Sequence, residues 1–75
     1  MDRKERLYWA KKVTSEIYEA VEMGFYQKED LESINFTEIR KWIGFTDENT
    51  REIDEIINEV CLVVYEIKFD SEYPI

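Results

Sequence analysis

Histidine is absent from this 75-residue chain, cysteine occurs once, glycine twice and proline once. Each shortage closes a route. A lone Cys61 cannot form a disulfide within the chain, and without histidine a zinc site of the Cys/His kind cannot be assembled. Gly24 and Gly44 are the only glycines, so there is no glycine-rich loop to cradle a phosphate. Acid–base catalysis would need a carboxylate retuned by burial, and nucleophilic catalysis a serine or Cys61 beside a base. The carboxylates fall on polar helix faces, and Cys61 falls at the edge of an apolar stripe, where it reads as a small buried hydrophobe. The expectation is a protein that is not an enzyme and carries no cofactor and no metal. The longest apolar run, Val60 to Tyr65, is six residues, far short of a membrane span. The basic residues near the start have no apolar stretch behind them to make a signal peptide, so a cytoplasmic location is expected.

Basic residues are also in short supply. Eighteen acids against ten bases give a net charge of −8. The asymmetry is sharper than the total. Residues 1–12 hold five bases and two acids, whereas residues 13–75 hold five bases and sixteen acids. Most of the molecule should repel nucleic acid and anionic membranes and attract basic protein surfaces. The basic cluster near the start is expected to pair with the chain's own acidic faces. Aromatic residues are plentiful, which sets the composition apart from that of a disordered acidic tail.

Ile53, Ile56, Ile57, Val60, Val63, Val64 and Ile67 recur at spacings of three and four, one face of a long helix. A second long stripe, Trp9, Ala10, Val13, Ile17, Ala20 and Val21, predicts a helix over 2–23, stopped by Gly24. Phe25 to Lys28 reads as a connector whose aromatics fold under the helices, and 29–34 as a short helix. Asn35 with Glu38, and Asn49 with Glu52, each have the spacing of a capping residue and its reciprocal glutamate. They predict a helix from Asn35 to Gly44 and the start of the last helix, with Thr46 as a rival cap. Residues 63–70 nearly alternate apolar and polar, so a terminal strand competes with the helix there.

The expected fold is a single all-α domain over 1–75. Two long antiparallel helices, 2–23 and 47–68, pack with one or two short helices, and 70–75 form a flexible tail. The expected core is Leu7, Ala10, Val13, Ile17, Ala20, Val21, Leu31, Ile34, Ile39, Trp42, Ile43, Ile53, Ile56, Ile57, Val60, Val64 and Ile67.

Three functional features stand out. Glu48, Glu52, Glu55, Glu59 and Glu66 fall within about 60° on the last helix, spaced roughly 4.5 to 10.5 Å along its axis. A line of carboxylates at that pitch resembles a nucleic-acid strand in sign and spacing. It predicts a regulator that binds a protein with a basic surface, such as a phage- or plasmid-type inhibitor that mimics nucleic acid. Leu62 and Tyr65 lie off the apolar stripe and predict a self-association patch, in keeping with a homodimer. Phe36 to Val60 can also be drawn as a helix–turn–helix with its turn at Gly44-Phe45-Thr46. Its second helix would lead with acids, which argues against a DNA groove. The alternatives are therefore a helix–turn–helix DNA-binding regulator and an oligomeric assembly subunit.

Overall fold

The computed structural model describes residues 1–70. Four helices follow one another: α1 (Arg3–Glu22), α2 (Lys28–Glu32), α3 (Phe36–Ile43) and α4 (Arg51–Phe69). No strand occurs among the described residues; the alternating stretch continues α4 as far as Phe69. Of the expected tail, 70–75, all but Asp70 lies outside the described residues.

Local chemistry sets most helix ends. Asp2 caps α1, its carboxylate accepting the Glu5 N–H at 2.8 Å. Asn35 caps α3 by accepting the Glu38 N–H at 3.1 Å. Gly24 and Gly44 adopt φ of 80° and 79°, and the residue after each donates back to a carbonyl five positions earlier, Phe25 to Ala20 and Phe45 to Arg40. The start of α4 departs from expectation. The helix begins at Arg51, not at 47, and Asn49 does not cap it. Asp47 accepts the Asn49 N–H at 2.9 Å and Asn49 accepts the Arg51 N–H at 3.4 Å. Such two-residue side-chain turns offer the backbone an alternative to the helical ladder, and here they prevail over the helix.

The two long helices pack against each other, but they run parallel, which corrects the antiparallel expectation. Arg6 near the start of α1 reaches Glu52 at the start of α4, and Lys68 near the end of α4 reaches Glu22 at the end of α1. Both pairs are 46 residues apart, so the helices advance in step. The reason is the segment between them. α2 packs on α4, and α3 packs on both α1 and α4. Together with their connectors they carry the chain back along the bundle, so that α4 starts at the end where α1 started.

α2 and α3 cover only one side of the α1–α4 pair. The core lies beneath them and includes Val13, Ile17, Leu31, Ile39, Ile43, Ile53, Ile57, Cys61 and Val64. Tyr26 joins it from the connector, whereas Phe25 stays outside against Trp42, ring centroids 5.8 Å apart. Three expected core residues are exposed: Leu7 by 57%, Trp42 by 44% and Ile67 by 63%. Leu7 and Ile67 lie on the uncovered side of the pair. Trp42 sits at the bundle surface between Phe25 and Tyr26. The Phe45 ring meets Trp9 edge to face at 5.2 Å and fastens the loop after α3 onto α1.

Candidate functional site

α4 carries the glutamates singled out from the sequence, and its geometry divides them. Glu48 lies in the loop before the helix and does not belong to the ridge. Glu52 is held by the Met1 ammonium and by Arg6, the latter at 3.4 Å. The hydrogen bond from the ammonium, then its charge and that of Arg6, hold the Glu52 carboxyl below its ordinary value. The hydrogen bond to Glu52, then the Glu52, Glu5 and Asp2 charges, raise the Met1 amino group above its own. The basic start of the chain thus pairs with the acidic start of α4. Glu55 faces Arg51 one turn earlier at 3.8 Å, both side chains well exposed. Glu59 and Glu66 are exposed and make no ion pair among the described residues.

Beside Glu59 and Glu66 runs an apolar strip. Val63 is one turn beyond Glu59, and Ile67 is one turn beyond Val63. Their side chains are 52% and 63% exposed. On the near end of the same side, Leu7 and Ala10 of α1 and Ile56 and Val60 of α4 line a shallow groove, with Arg3 and Glu59 at its rims. Val63 and Ile67 were legible as members of the apolar stripe, but not as surface. No local signal marks the difference, because it depends on which part of the stripe α1, α2 and α3 cover.

The residues marked for self-association part company. Leu62 is exposed. Tyr65 is half-buried, packed beside the Phe69 ring at 6.1 Å with the Lys28 ammonium 5.8 Å from its own ring centre.

Two buried polar groups lie away from this face. Burial pushes the Cys61 thiol up to about 11. The Tyr26 hydroxyl has no hydrogen-bond partner among the described residues, and it lies beside a small cavity lined by Asp30, Ser33, Asn35 and Glu38. Burial, and then the Glu38 and Asp30 charges, raise its pKa.

The segment drawn as a helix–turn–helix has seven residues, 44–50, between α3 and α4, where that motif uses three or four. No group of three or more Cys, Asp or Glu side chains among the described residues is placed to hold a metal ion. No helix of the described residues is long and apolar enough to cross a membrane. No protein-family model, no curated protein and no solved structure matches this chain.

Proposed function

We propose that this chain is a non-enzymatic regulator that acts by binding another protein, one that presents a basic and partly apolar surface. The observation that carries this reading is the second half of α4, where exposed Val63 and Ile67 lie beside Glu59 and Glu66, which have no ion-pair partner among the described residues. An apolar centre with a charged rim is the usual anatomy of a protein interface, and the sign of the rim selects the partner. A finer form of the reading is an inhibitor of phage or plasmid type whose acidic face fills the nucleic-acid groove of its target. That form rests on Glu55, Glu59 and Glu66, because Glu52 is already neutralised by Arg6 and the Met1 ammonium.

The DNA-binding alternative has less behind it. α4 opens with Glu52, Asp54 and Glu55, and the connection before it is longer than the motif requires. A nucleophilic role for Cys61 is disfavoured by its burial, which keeps the thiol protonated at neutral pH.

The test is affinity capture from the native cell followed by mass spectrometry, comparing the parent with Glu55→Lys/Glu59→Lys/Glu66→Lys. Loss of basic partners from the triple variant is the expected result. Capture of the same partners by both proteins would sink the reading.

A further inference from the structure

We propose that the uncovered side of the α1–α4 pair is the surface on which two copies of this chain join, related by a two-fold axis that runs along the helices. The proposal rests on the reading of this face as protein-binding and names its occupant in the free protein: a basic partner displaces the second copy, because both use Val63, Ile67 and Glu59.

The face is apolar on both helices. Leu7 and Ala10 meet Ile56 and Val60 in the shallow groove, and Val63 and Ile67 extend the α4 side at helical spacing. Leu7, Val63 and Ile67 each leave more than half of their surface to solvent. A 75-residue domain without a disulfide has little core to spare, so cover for these residues is worth more here than in a larger protein.

The two edges of the face carry opposite charge. Arg3 and Lys11 stand along α1, and Lys11 lies beside Ala10 and Thr14. Glu55 and Glu59 stand along α4. Lys11 and Glu59 make no ion pair among the described residues.

The parallel helices then choose the arrangement. A residue of α1 stands level with the residue 46 later on α4, as Arg6–Glu52 and Glu22–Lys68 show. Lys11 is therefore level with Ile57, midway between Glu55 and Glu59. A two-fold axis along the helices keeps every residue at its height and sets α1 of each copy opposite α4 of the other. Lys11 then opposes Glu55 and Glu59 of the second copy. Ala10 stands level with its Ile56, Val63 between its Thr14 and Tyr18, and Ile67 level with its Val21. An axis across the helices would instead set lysine edge against lysine edge and glutamate edge against glutamate edge. The face is complementary to itself in the first arrangement alone.

Sedimentation equilibrium from micromolar to millimolar concentration tests the proposal. A reversible dimer is expected. Ile67→Glu should shift it to monomer while the thermal melt of dilute protein stays unchanged, because that side chain is already exposed in a single copy. Lys11→Glu should weaken pairing about tenfold by turning two attractive contacts repulsive, and Lys11→Glu/Glu59→Lys should restore it. A monomer at every concentration overturns the proposal. So does a dimer indifferent to Ile67→Glu, or a double variant no tighter than Lys11→Glu. A monomer that still captures basic partners leaves the preceding reading standing, and a dimer that captures none removes that reading alone.

Discussion

Arg40 and Asp54 tie α3 to α4: one guanidinium nitrogen, Nη1, donates to both carboxylate oxygens, at 2.6 and 2.7 Å. Both side chains are mostly shielded from water, and Nη2 of Arg40 also donates to the Thr37 hydroxyl at 3.3 Å. A shielded, charge-assisted contact is worth more than an exposed surface pair. Its place matters too, because it closes the seven-residue loop that sets the direction of α4. Asp54→Ala should lower the unfolding free energy by about 1–2 kcal/mol in a urea titration. Asp54→Ala with Arg40→Ala should cost less than the two single changes added together. Additive losses would mean that water already satisfies the pair.

The buried cysteine gives a separate test of how tightly the core closes. Cys61 lies among core residues of α4, and burial lifts its thiol to about 11. The reactive species is the thiolate, which is then scarce even in mildly alkaline buffer. Labelling by a thiol reagent at pH 8 should therefore be slow in the native protein and should track global opening, rising with urea along the unfolding curve. Fast labelling without denaturant would show that the α4 side of the core opens locally.

How much of this was written in the residues can be judged element by element. The helices were legible because their signals are local: Asn35 as a cap, Gly24 and Gly44 as stops, and isoleucines and valines at three- and four-residue spacing. The direction of α4 was not legible. It depends on where the segment 23–50 deposits the chain, which is a matter of tertiary packing and not of any local pattern. The start of α4 misled for a different reason. Asn49 with Glu52 has the spacing of a capping box, but Asp47 and Asn49 spend their side chains on turns two residues long. The glutamate ridge was legible as a pattern and was then divided by long-range partners. Arg6 lies 46 residues from Glu52, and nothing near Glu52 in the chain announces it. Ile67 shows the same limit from the apolar side. Periodicity tells which residues share a face, and only the packing of α2 and α3 decides which part of that face is covered.

The contact between Glu52 and the Met1 ammonium makes stability depend on pH at both ends. The hydrogen bond from the ammonium, then its charge and that of Arg6, hold the Glu52 carboxyl below its ordinary value of 4.5. Its contribution is present above that value and is lost as pH falls through the depressed one. The amino group is raised above its ordinary 8.0, chiefly by the same hydrogen bond, which it donates to Glu52, so its contribution is present below 8.0 and is lost as pH rises through the raised value. The contact should be fully formed between these limits. In a carbon-detected NMR titration, Glu52 should titrate below 4.5. Acetylating the Met1 amino group should raise its midpoint, and Arg6→Ala should raise it less, because the ammonium is the larger cause. An unchanged midpoint after acetylation would show that the contact does not persist in solution.

Gly44 isolates the cost of one backbone conformation. It ends α3 at φ 79°, its N–H pointing back to the Arg40 and Lys41 carbonyls, and the next residue, Phe45, seats its ring on Trp9. A β-carbon added at Gly44 would meet nothing within 4 Å, so substitution there adds backbone strain and no clash. For an L-residue with a β-carbon the left-handed region costs roughly 1–2 kcal/mol, and asparagine tolerates it best. Gly44→Ala should therefore destabilise by about 1 kcal/mol in urea unfolding and Gly44→Asn by less, with the near-ultraviolet signal of the Trp9–Phe45 contact retained in both. Equal losses for alanine and asparagine, or loss of that aromatic signal, would mean that the turn rearranges and is not merely strained.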